Sequence, residues 1–300
     1  MSSVRIIIPY FGSLHEVFPF WYESARNNAD IDFLFITDCE VRECTNIHVV
    51  RISLEGLKDR IEAALGMEVC LPKAYKLCDF RPAFGLIFSE ELKGYDFWGF
   101  GDIDVVYGRL RDFITEEVLS SHDMVSCWGH LTLYRNCEYM NKLFQEKHEG
   151  EYLYYKDVFT NPDNQIFDEL WRGTGAIMRD FHADRMYRCE KLIDDVVVPQ
   201  IFKHFKSLFS RERKCMTFIY KDRNLFRVYF DSRFRRHVEP TMYAHFQKRN
   251  GWTIDVDDLS DYIIYPNVFR KPFRFMQGLK LAWLGSPRII DYVTQKTRKT

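Results

Sequence analysis

The sequence lacks the cysteine spacings of a structural zinc site. Its eight cysteines are scattered over 300 residues, with no C-x-x-C pair and no cysteine/histidine cluster at zinc-ligand spacing. Several lie inside apolar or amphipathic runs, as in "MVSCW". We therefore expect reduced, mostly structural cysteines and a cytosolic environment.

Long hydrophobic runs are also missing. The first apolar run, in "MSSVRIIIPYFG", is too short for a signal peptide or a membrane span. The chain has no internal repeat and no low-complexity linker. With 46% apolar and 28% charged residues, it has an ordinary globular composition, and its length can bury a core as one large domain or two lobes.

Charge is nearly balanced overall but unevenly distributed. The net charge is −1, yet residues 269–300 hold eight Lys/Arg against one acid, mixed with Phe, Leu, Met and Trp. This pattern predicts a basic amphipathic segment on an anionic membrane surface, hence a cytoplasmic protein at the inner face of the membrane. The alternative is a C-terminal helix packed on the domain by its apolar side. The acidic remainder of the chain argues against a nucleic-acid partner.

The first third of the sequence has the pattern of an α/β nucleotide-binding layer. Apolar strands are predicted over 4–12, 31–38 and 46–53. A helix follows in "SLEGLKDRIEAALG", with Ser53 as its N-cap and Gly66 at its end. Further helices are predicted from Pro82 onward, over 108–121 and over 164–171. The sequence therefore predicts strands and helices packed in layers.

The stretch "YDFWGFGDIDVVYG" places two aspartates, Asp102 and Asp104, after an apolar run. The D-x-D pattern occurs three times, at 30–32, 102–104 and 255–257. Only the second follows a long apolar run and precedes a predicted helix. Both carboxylates are therefore expected at the carboxyl edge of a sheet, where open α/β folds bind ligands. Mn²⁺ or Mg²⁺ would relieve their mutual repulsion. The alternative is an acidic turn that caps the following helix.

A second candidate cluster is "HFQKR", near the end of a predicted short strand. His245 supplies one neutral metal ligand, and Lys248, three residues later, supplies a cation for phosphate. The alternative for His245 is a core histidine with its hydrogen bonds satisfied within the protein.

The order "IPYFG", "FITD", "KLCDFRPAFG", "YDFWGFGDIDVVYG" and "HFQKR" resembles the GT-A glycosyltransferases. More narrowly, it resembles an uncharacterised family found among bacterial polysaccharide-biosynthesis genes. The resemblance spans roughly residues 4–250. It implies an α/β fold with a mixed, Rossmann-related central sheet flanked by helices. Residues 1–250 would form the GT-A-like domain, with a nucleotide-sugar half (1–108) and an acceptor half (109–250), followed by a C-terminal extension (251–300).

The resemblance also implies roles for individual residues. Contacts to the nucleotide sugar, UDP-linked by expectation, would come from Pro9, Tyr10, Phe11, Gly12, Asp38, Lys76, Asp79, Arg81, Asp102 and Lys248. The metal ligands would be Asp102, Asp104 and His245. The reaction would move a hexose to a saccharide or lipid-linked glycan acceptor in surface polysaccharide synthesis.

The acceptor side is less clearly marked. Trp128 and His130 in "SCWGHLTLYRN" offer a sugar platform and a base at the end of a strand. Asp168 and Glu169 in "NQIFDELW" offer carboxylates that could take a proton from the acceptor hydroxyl, or serve as ordinary helix-face charges. These residues leave the stereochemistry of transfer open.

Two other functions fit part of the sequence. In a phosphatase of the haloacid-dehalogenase type, Asp102 would be the nucleophile, Asp104 the acid/base, and Asp194 and Asp195 magnesium ligands. Against it, such motifs sit on the first strand, whereas here about 90 patterned residues come earlier. The second alternative is a non-catalytic, sugar-binding relic of the transferase fold.

Overall fold

The computed structural model describes residues 1–197, 205–208, 214–231, 233–247 and 249–272. The chain divides into two compact units, each built from several segments. The first unit comprises Met1–Leu14, Asn28–Ile103 and Ile114–Cys189. The second comprises His15–Asn27, Asp104–Phe113 and the described residues from Glu190 onward. Within the described residues, no helix combines the length and the apolar character needed to cross a bilayer.

Strands and helices alternate along the first half of the chain, and strands dominate from residue 186 onward. The strands are β1 Val4–Tyr10, β2 Asp32–Thr37, β3 Ile47–Arg51, β4 Phe97–Gly101, β5 Val105–Tyr107, β6 Met124–Trp128, β7 Leu131–Arg135, β8 Met186–Tyr187, β9 Asp194–Asp195, β10 Lys214–Lys221, β11 Asn224–Phe230, β12 Arg236–Pro240, β13 Tyr243–His245, β14 Thr253–Asp255, β15 Asp261–Tyr265 and β16 Val268–Arg270. The α-helices are α1 Phe18–Arg26, α2 Leu54–Leu65, α3 Phe84–Ile87, α4 Glu116–Ser121, α5 Glu138–Lys142, α6 Tyr155–Thr160 and α7 Thr174–Phe181.

The first unit is built on a seven-stranded mixed sheet. Its order is β3-β2-β1-β4-β7-β6-β8, with β3, β2, β1 and β4 parallel and β7 antiparallel to β4. The strand order reverses at β1, because β2 and β3 lie on one side of it and β4 on the other. Ligands in open α/β sheets bind outside the carboxyl ends of the strands at this point. The predicted α/β class, with a mixed central sheet flanked by helices, is confirmed.

Helices of the first unit pack on this sheet through apolar faces. Leu57 and Ile61 of α2 are fully buried and join the same core as Ile7 and Leu34 of the sheet. The predicted caps of α2 are confirmed: the Ser53 hydroxyl accepts from the Gly56 amide at 3.0 Å, and Gly66 ends the helix at φ +64°.

The described residues of the second unit form two mixed sheets. A three-stranded sheet has the order β5-β13-β9, and a six-stranded sheet has the order β12-β11-β10-β15-β16-β14. The turn predicted at "KDRN" joins β10 to β11, with Asp222 and Arg223 both at positive φ. Residues 253–270 continue the sheet of residues 214–240, so residues 269 and 270 of the predicted basic segment belong to a strand. Residues 273–300 lie outside the described part of the chain.

Three predicted helices differ from the structure. The helix predicted over 108–121 is α-helical only in α4, after a 3-10 turn at Leu110–Asp112. Residues 164–171 form turns and irregular backbone, so the helix predicted there is wrong. The segment before α3 forms a 3-10 helix over Ala74–Ala83, and α3 itself has only four residues. Within 164–171, the amides of Gln165 and Phe167 instead donate to the buried carboxylate of Asp79, at 2.8 and 2.9 Å. These amides need no helical partner, because a side chain from a distant segment satisfies them.

Candidate functional site

The ends of β1 and β2 bring together residues for which the GT-A resemblance implies contacts to the nucleotide. The Gly12 amide donates to Oδ1 of Asp38 at 3.0 Å, linking the loop after β1 to the residue after β2. Gly12 has φ +93°, a left-handed conformation that favours glycine. Pro9, Tyr10 and Phe11 are partly buried beside it, whereas Asp38 is exposed. The carboxyl edge of the first unit's sheet therefore presents a carboxylate next to an irregular loop.

Asp102 follows β4, the strand beside β1 at the reversal of strand order. Its amide donates to the carbonyl of His130 at 3.3 Å, which ties it to the turn between β6 and β7. Its carboxylate pairs with the guanidinium of Arg81, while the side chain keeps 29% of its surface exposed. Asp102 is thus an accessible carboxylate at the position in the sheet where α/β folds bind ligands.

Arg81 also holds Asp168. Its Nη1 donates to Oδ2 of Asp168 at 2.9 Å and to the carbonyl of Gly129 at 2.8 Å. The Arg81 guanidinium is nearly buried, and Asp168 is 2% exposed. One guanidinium therefore bridges two predicted site carboxylates, Asp102 and Asp168, which the sequence places 66 residues apart.

Burial changes the chemistry of Asp168. Desolvation raises the pKa of its carboxyl group to about 6, against the opposing effect of the Arg81 cation. Glu169, beside it, is partly buried. A Cβ at Gly129 would lie 3.0 Å from both Arg81 Nη1 and Asp168 Oδ2, and 3.2 Å from Glu169 Oε1. The missing side chain at Gly129 lets these charged groups approach the backbone closely.

His130 and Trp128 lie on the same turn of the first unit. Their rings are nearly parallel, at 7° with centroids 6.1 Å apart. His130 is 4% exposed and Trp128 is partly buried. The turn therefore offers part of an indole surface, whereas the imidazole is largely enclosed by protein.

Lys76 and Asp79 serve the fold of the first unit. The Lys76 ammonium donates to Asp79 at 2.7 Å and to the carbonyls of Val158 and Asp163 at 2.9 and 2.7 Å. These three bonds use all three ammonium protons. Both side chains are fully buried. The pair therefore holds the segment that leads to Asp168 by hydrogen bonds. This arrangement gives no support to the predicted contacts of Lys76 and Asp79 with a sugar nucleotide.

In the second unit, Asp104 and His245 lie side by side. Asp104 directly precedes β5, whose partner β13 ends at His245. The amide of Phe246 donates to the Asp104 carbonyl at 2.9 Å, which fixes the two segments together. Oδ1 of Asp104 is 3.4 Å from Nε2 of His245. Two of the three residues predicted as metal ligands are therefore neighbours within this unit.

Sequence reasoning missed the partner on the other side of the imidazole. Nδ1 of His245 lies 3.0 Å from Oδ1 of Asp195, and Nε2 of Gln247 donates to the same oxygen at 2.8 Å. Asp195 entered the sequence analysis only as a possible phosphatase ligand. The "LIDDVV" motif marks it as a candidate, but only the pairing of β9 with β13 places it beside His245. Lys248, predicted for phosphate, lies outside the described residues.

Solved structures show a weak likeness to the chain. The galactosyltransferase LgtC, in complex with donor and acceptor sugar analogues, is 14% identical at a TM-score of 0.33, covering 62% of this chain and 87% of its own. A197 from STIV is 11% identical at 0.30, covering 79% and 94%. The glycosyltransferase GlyE of Streptococcus pneumoniae TIGR4 is 12% identical at 0.28, covering 64% and 46%. Likeness at these scores is too low to carry an argument about fold or activity.

Sequence comparison is more decisive for the family. No curated protein matches the chain. The profile described as "Family of unknown function (DUF6625)" matches residues 6–272, which is most of the chain. The chain therefore belongs to the DUF6625 family.

Proposed function

We propose that this chain is a metal-dependent glycosyltransferase of the GT-A type. It would move a hexose from a nucleotide sugar, UDP-linked, to a saccharide or lipid-linked glycan acceptor in surface polysaccharide synthesis. The observation that carries the proposal is the 3.4 Å separation of Asp104 Oδ1 from His245 Nε2. The resemblance to the GT-A glycosyltransferases implies that both residues are metal ligands, and their proximity supports that assignment.

The residues present suit a hard divalent cation. Carboxylate oxygens and one imidazole nitrogen are ligands that Mn²⁺ and Mg²⁺ accept, and neighbouring ligands of an octahedral ion lie about 3 Å apart. The 3.4 Å pair is close to that spacing. The proposed ligands are the D-x-D motif, Asp102 and Asp104, with His245. A bound ion would neutralise the diphosphate leaving group.

The ion pair of Asp102 with Arg81 is compatible with this role. A carboxylate has two oxygens and about four lone-pair directions, so it can accept from a guanidinium and still coordinate an ion. In the first unit, the loop over 9–12 and Asp38 would contact the nucleotide at the carboxyl edge of the sheet.

On the acceptor side, the structure supports different roles for the two neighbouring carboxylates. Asp168 is buried and bound to Arg81, so it would hold the guanidinium in place. Glu169 is less buried and would accept the proton of the acceptor hydroxyl. The enclosed His130 would support the turn on which Trp128 offers part of a ring to a sugar.

The phosphatase alternative has less support. Its second acidic pair includes Asp194, which is fully buried and accepts from the Thr241 hydroxyl at 2.7 Å, with Arg227 at 3.4 Å. A carboxylate held in this way is poorly placed to coordinate an ion. The D-x-D motif also follows the fourth strand of the sheet rather than the first.

The proposal is tested by Mn²⁺ and UDP with the Asp104→Asn variant. Wild-type protein should melt at a higher temperature with Mn²⁺ plus UDP than with either alone, and it should hydrolyse a UDP-hexose slowly. Asp104→Asn should lose both responses and keep the melting temperature of the ligand-free protein. Asp255→Asn is the matched control, since it changes an exposed D-x-D motif elsewhere and should retain both.

Full retention of both responses in Asp104→Asn would contradict the metal site. A wild-type protein that responds to no nucleotide would support the non-catalytic alternative. Cleavage of p-nitrophenyl phosphate that depends on Asp102 would support the phosphatase. Cytoplasmic location and attachment to an anionic membrane through residues 269–300 remain part of the proposal, to be tested by co-sedimentation with anionic liposomes.

A further inference from the structure

The second unit contains a three-residue chain of contacts centred on His245. Strand β13 runs parallel to β9, and their register places His245 beside Asp195. The imidazole lies between two carboxylates: Nδ1 is 3.0 Å from Asp195, and Nε2 is 3.4 Å from Asp104. The His245 side chain is 11% exposed and that of Asp195 is 7% exposed. The contact with Asp195 is therefore largely shielded from water.

The two carboxylate contacts are unequal. Nδ1 of His245 is at hydrogen-bonding distance from Asp195. The 3.4 Å between its Nε2 and Oδ1 of Asp104 exceeds the usual range of about 2.7–3.2 Å for a nitrogen donor and an oxygen acceptor. An ionised carboxylate only accepts, so the bond to Asp195 requires the proton on Nδ1. In the neutral imidazole, Nε2 then carries the lone pair and faces the oxygen of Asp104.

In this neutral form two electron-pair donors face each other, and a divalent cation near both can accept an electron pair from each. Metal-bound histidines in general donate their other ring proton to a carboxylate or carbonyl, which fixes the tautomer and orients the ring.

Asp195 is itself held in place. Nε2 of Gln247 donates to its Oδ1 at 2.8 Å, and its carbonyl accepts from the amide of Leu208 at 2.8 Å. The neighbouring Asp194 points to other partners, Thr241 and Arg227. The two adjacent aspartates therefore have separate roles, one inside the core and one at the imidazole.

We propose that Asp195 is a positioning residue that holds His245 with Nε2 as the metal-binding atom, with Gln247 supporting Asp195. This inference rests on the proposed metal dependence and deepens it. It predicts that removal of Asp195 weakens the affinity for a divalent cation although Asp195 does not bind the ion itself.

The test measures Mn²⁺ affinity without any substrate. Mn²⁺ is titrated into wild-type protein, Asp195→Asn, Asp195→Ala, Asp104→Asn and His245→Ala, and binding is followed by calorimetry or by the EPR signal of free Mn²⁺. Loss of a partner of this kind typically lowers metal affinity about 10–100-fold. Asp195→Ala should reach that range, Asp195→Asn should lose less, and Asp255→Asn should match wild type.

A second measurement needs only the wild-type protein. Two-dimensional ¹⁵N NMR of the histidine side chains should show His245 protonated on Nδ1, and Asp195→Asn should shift it toward a mixture of tautomers. At a pH where the ring is neutral, protonation on Nε2 instead of Nδ1 in the wild type would overturn the inference, whether or not the variants fold.

The outcomes separate this inference from the proposed function. If Asp104→Asn and His245→Ala lose Mn²⁺ affinity but both Asp195 variants keep it, Asp195 has no positioning role and the metal site stands. If wild-type protein does not bind Mn²⁺, or if Asp104→Asn and His245→Ala bind it as tightly as wild type, the metal site and the inference fall together.

Discussion

In the first unit, Nη1 of Arg81 donates to Oδ2 of Asp168 at 2.9 Å, and neither side chain is more than 7% exposed. The same guanidinium pairs with Asp102 through Nη2. A single buried cation thus orients the accessible carboxylate of the D-x-D motif and compensates a carboxylate that has almost no contact with water. Removal of either partner leaves an uncompensated charge in a region of low dielectric.

Arg81→Met should therefore destabilise the protein strongly. Loss of one partner from a buried ion pair typically costs about 3–5 kcal/mol, because the remaining charge is poorly solvated. Urea unfolding at pH 7 measures the change in the free energy of unfolding. Arg51→Met is the control: its ion pair with Glu40 is exposed on both sides and should contribute nothing measurable. A loss below about 1 kcal/mol for Arg81→Met would contradict the assignment.

The Asp168 carboxyl group should give stability a distinctive pH dependence. Burial raises its pKa in the folded protein to about 6, above the ordinary value of 3.8 that applies to the unfolded chain. Between these values the folded state binds more protons than the unfolded state. The free energy of unfolding contributed by this group therefore falls as pH rises from about 4 to about 6, by up to about 3 kcal/mol.

Asp168→Asn isolates that contribution, because the amide does not titrate. The free energy of unfolding of wild type minus that of the variant should decrease as pH rises through this window and stay level above about pH 7. Urea unfolding at half-unit steps from pH 4 to 7.5 measures the difference, and other carboxylates cancel in it. A difference that is constant, or that increases with pH, would refute the raised pKa.

Two glycines near this cluster should respond differently to alanine. At Gly129 a Cβ would meet the ends of side chains at 3.0 Å, so Arg81 and Asp168 can shift, at a cost of about 1–3 kcal/mol. At Gly173 it would lie 2.0 Å from the carbonyl oxygen of Phe167, a backbone atom that cannot move aside without disturbing the turn. In thermal unfolding, Gly173→Ala should have a much lower melting temperature than Gly129→Ala. The reverse order would contradict this packing.

Local patterns were sufficient for the early strands. The apolar runs over 4–12, 31–38 and 46–53 contain β1, β2 and β3. The first two strands are largely buried inside a parallel sheet, and β3 is its partly exposed edge. Helix α2 was equally predictable, since Ser53 and Gly66 mark its ends by local hydrogen bonding and backbone conformation. The link between Gly12 and Asp38 follows from strand direction, which brings the ends of parallel neighbours to one edge.

The segment over 164–171 could not be predicted in this way. Its apolar spacing suits a helix, but two of its amides donate to Asp79, which lies in a distant part of the sequence. Such a bond leaves no periodic trace in the segment itself. The same holds for Arg81, Asp102 and Asp168, which come from three different stretches of chain.

The sequence alone determined an α/β chain with a D-x-D motif after a buried strand, because apolar periodicity and short motifs depend on neighbouring residues. The link between that motif and His245 was only implied by the resemblance to the GT-A glycosyltransferases. Only the tertiary structure decided that Asp195 contacts His245, that Arg81 joins Asp102 to Asp168, and that Lys76 and Asp79 are buried. These outcomes depend on which distant side chains share a low-dielectric interior, where each charge must find a partner.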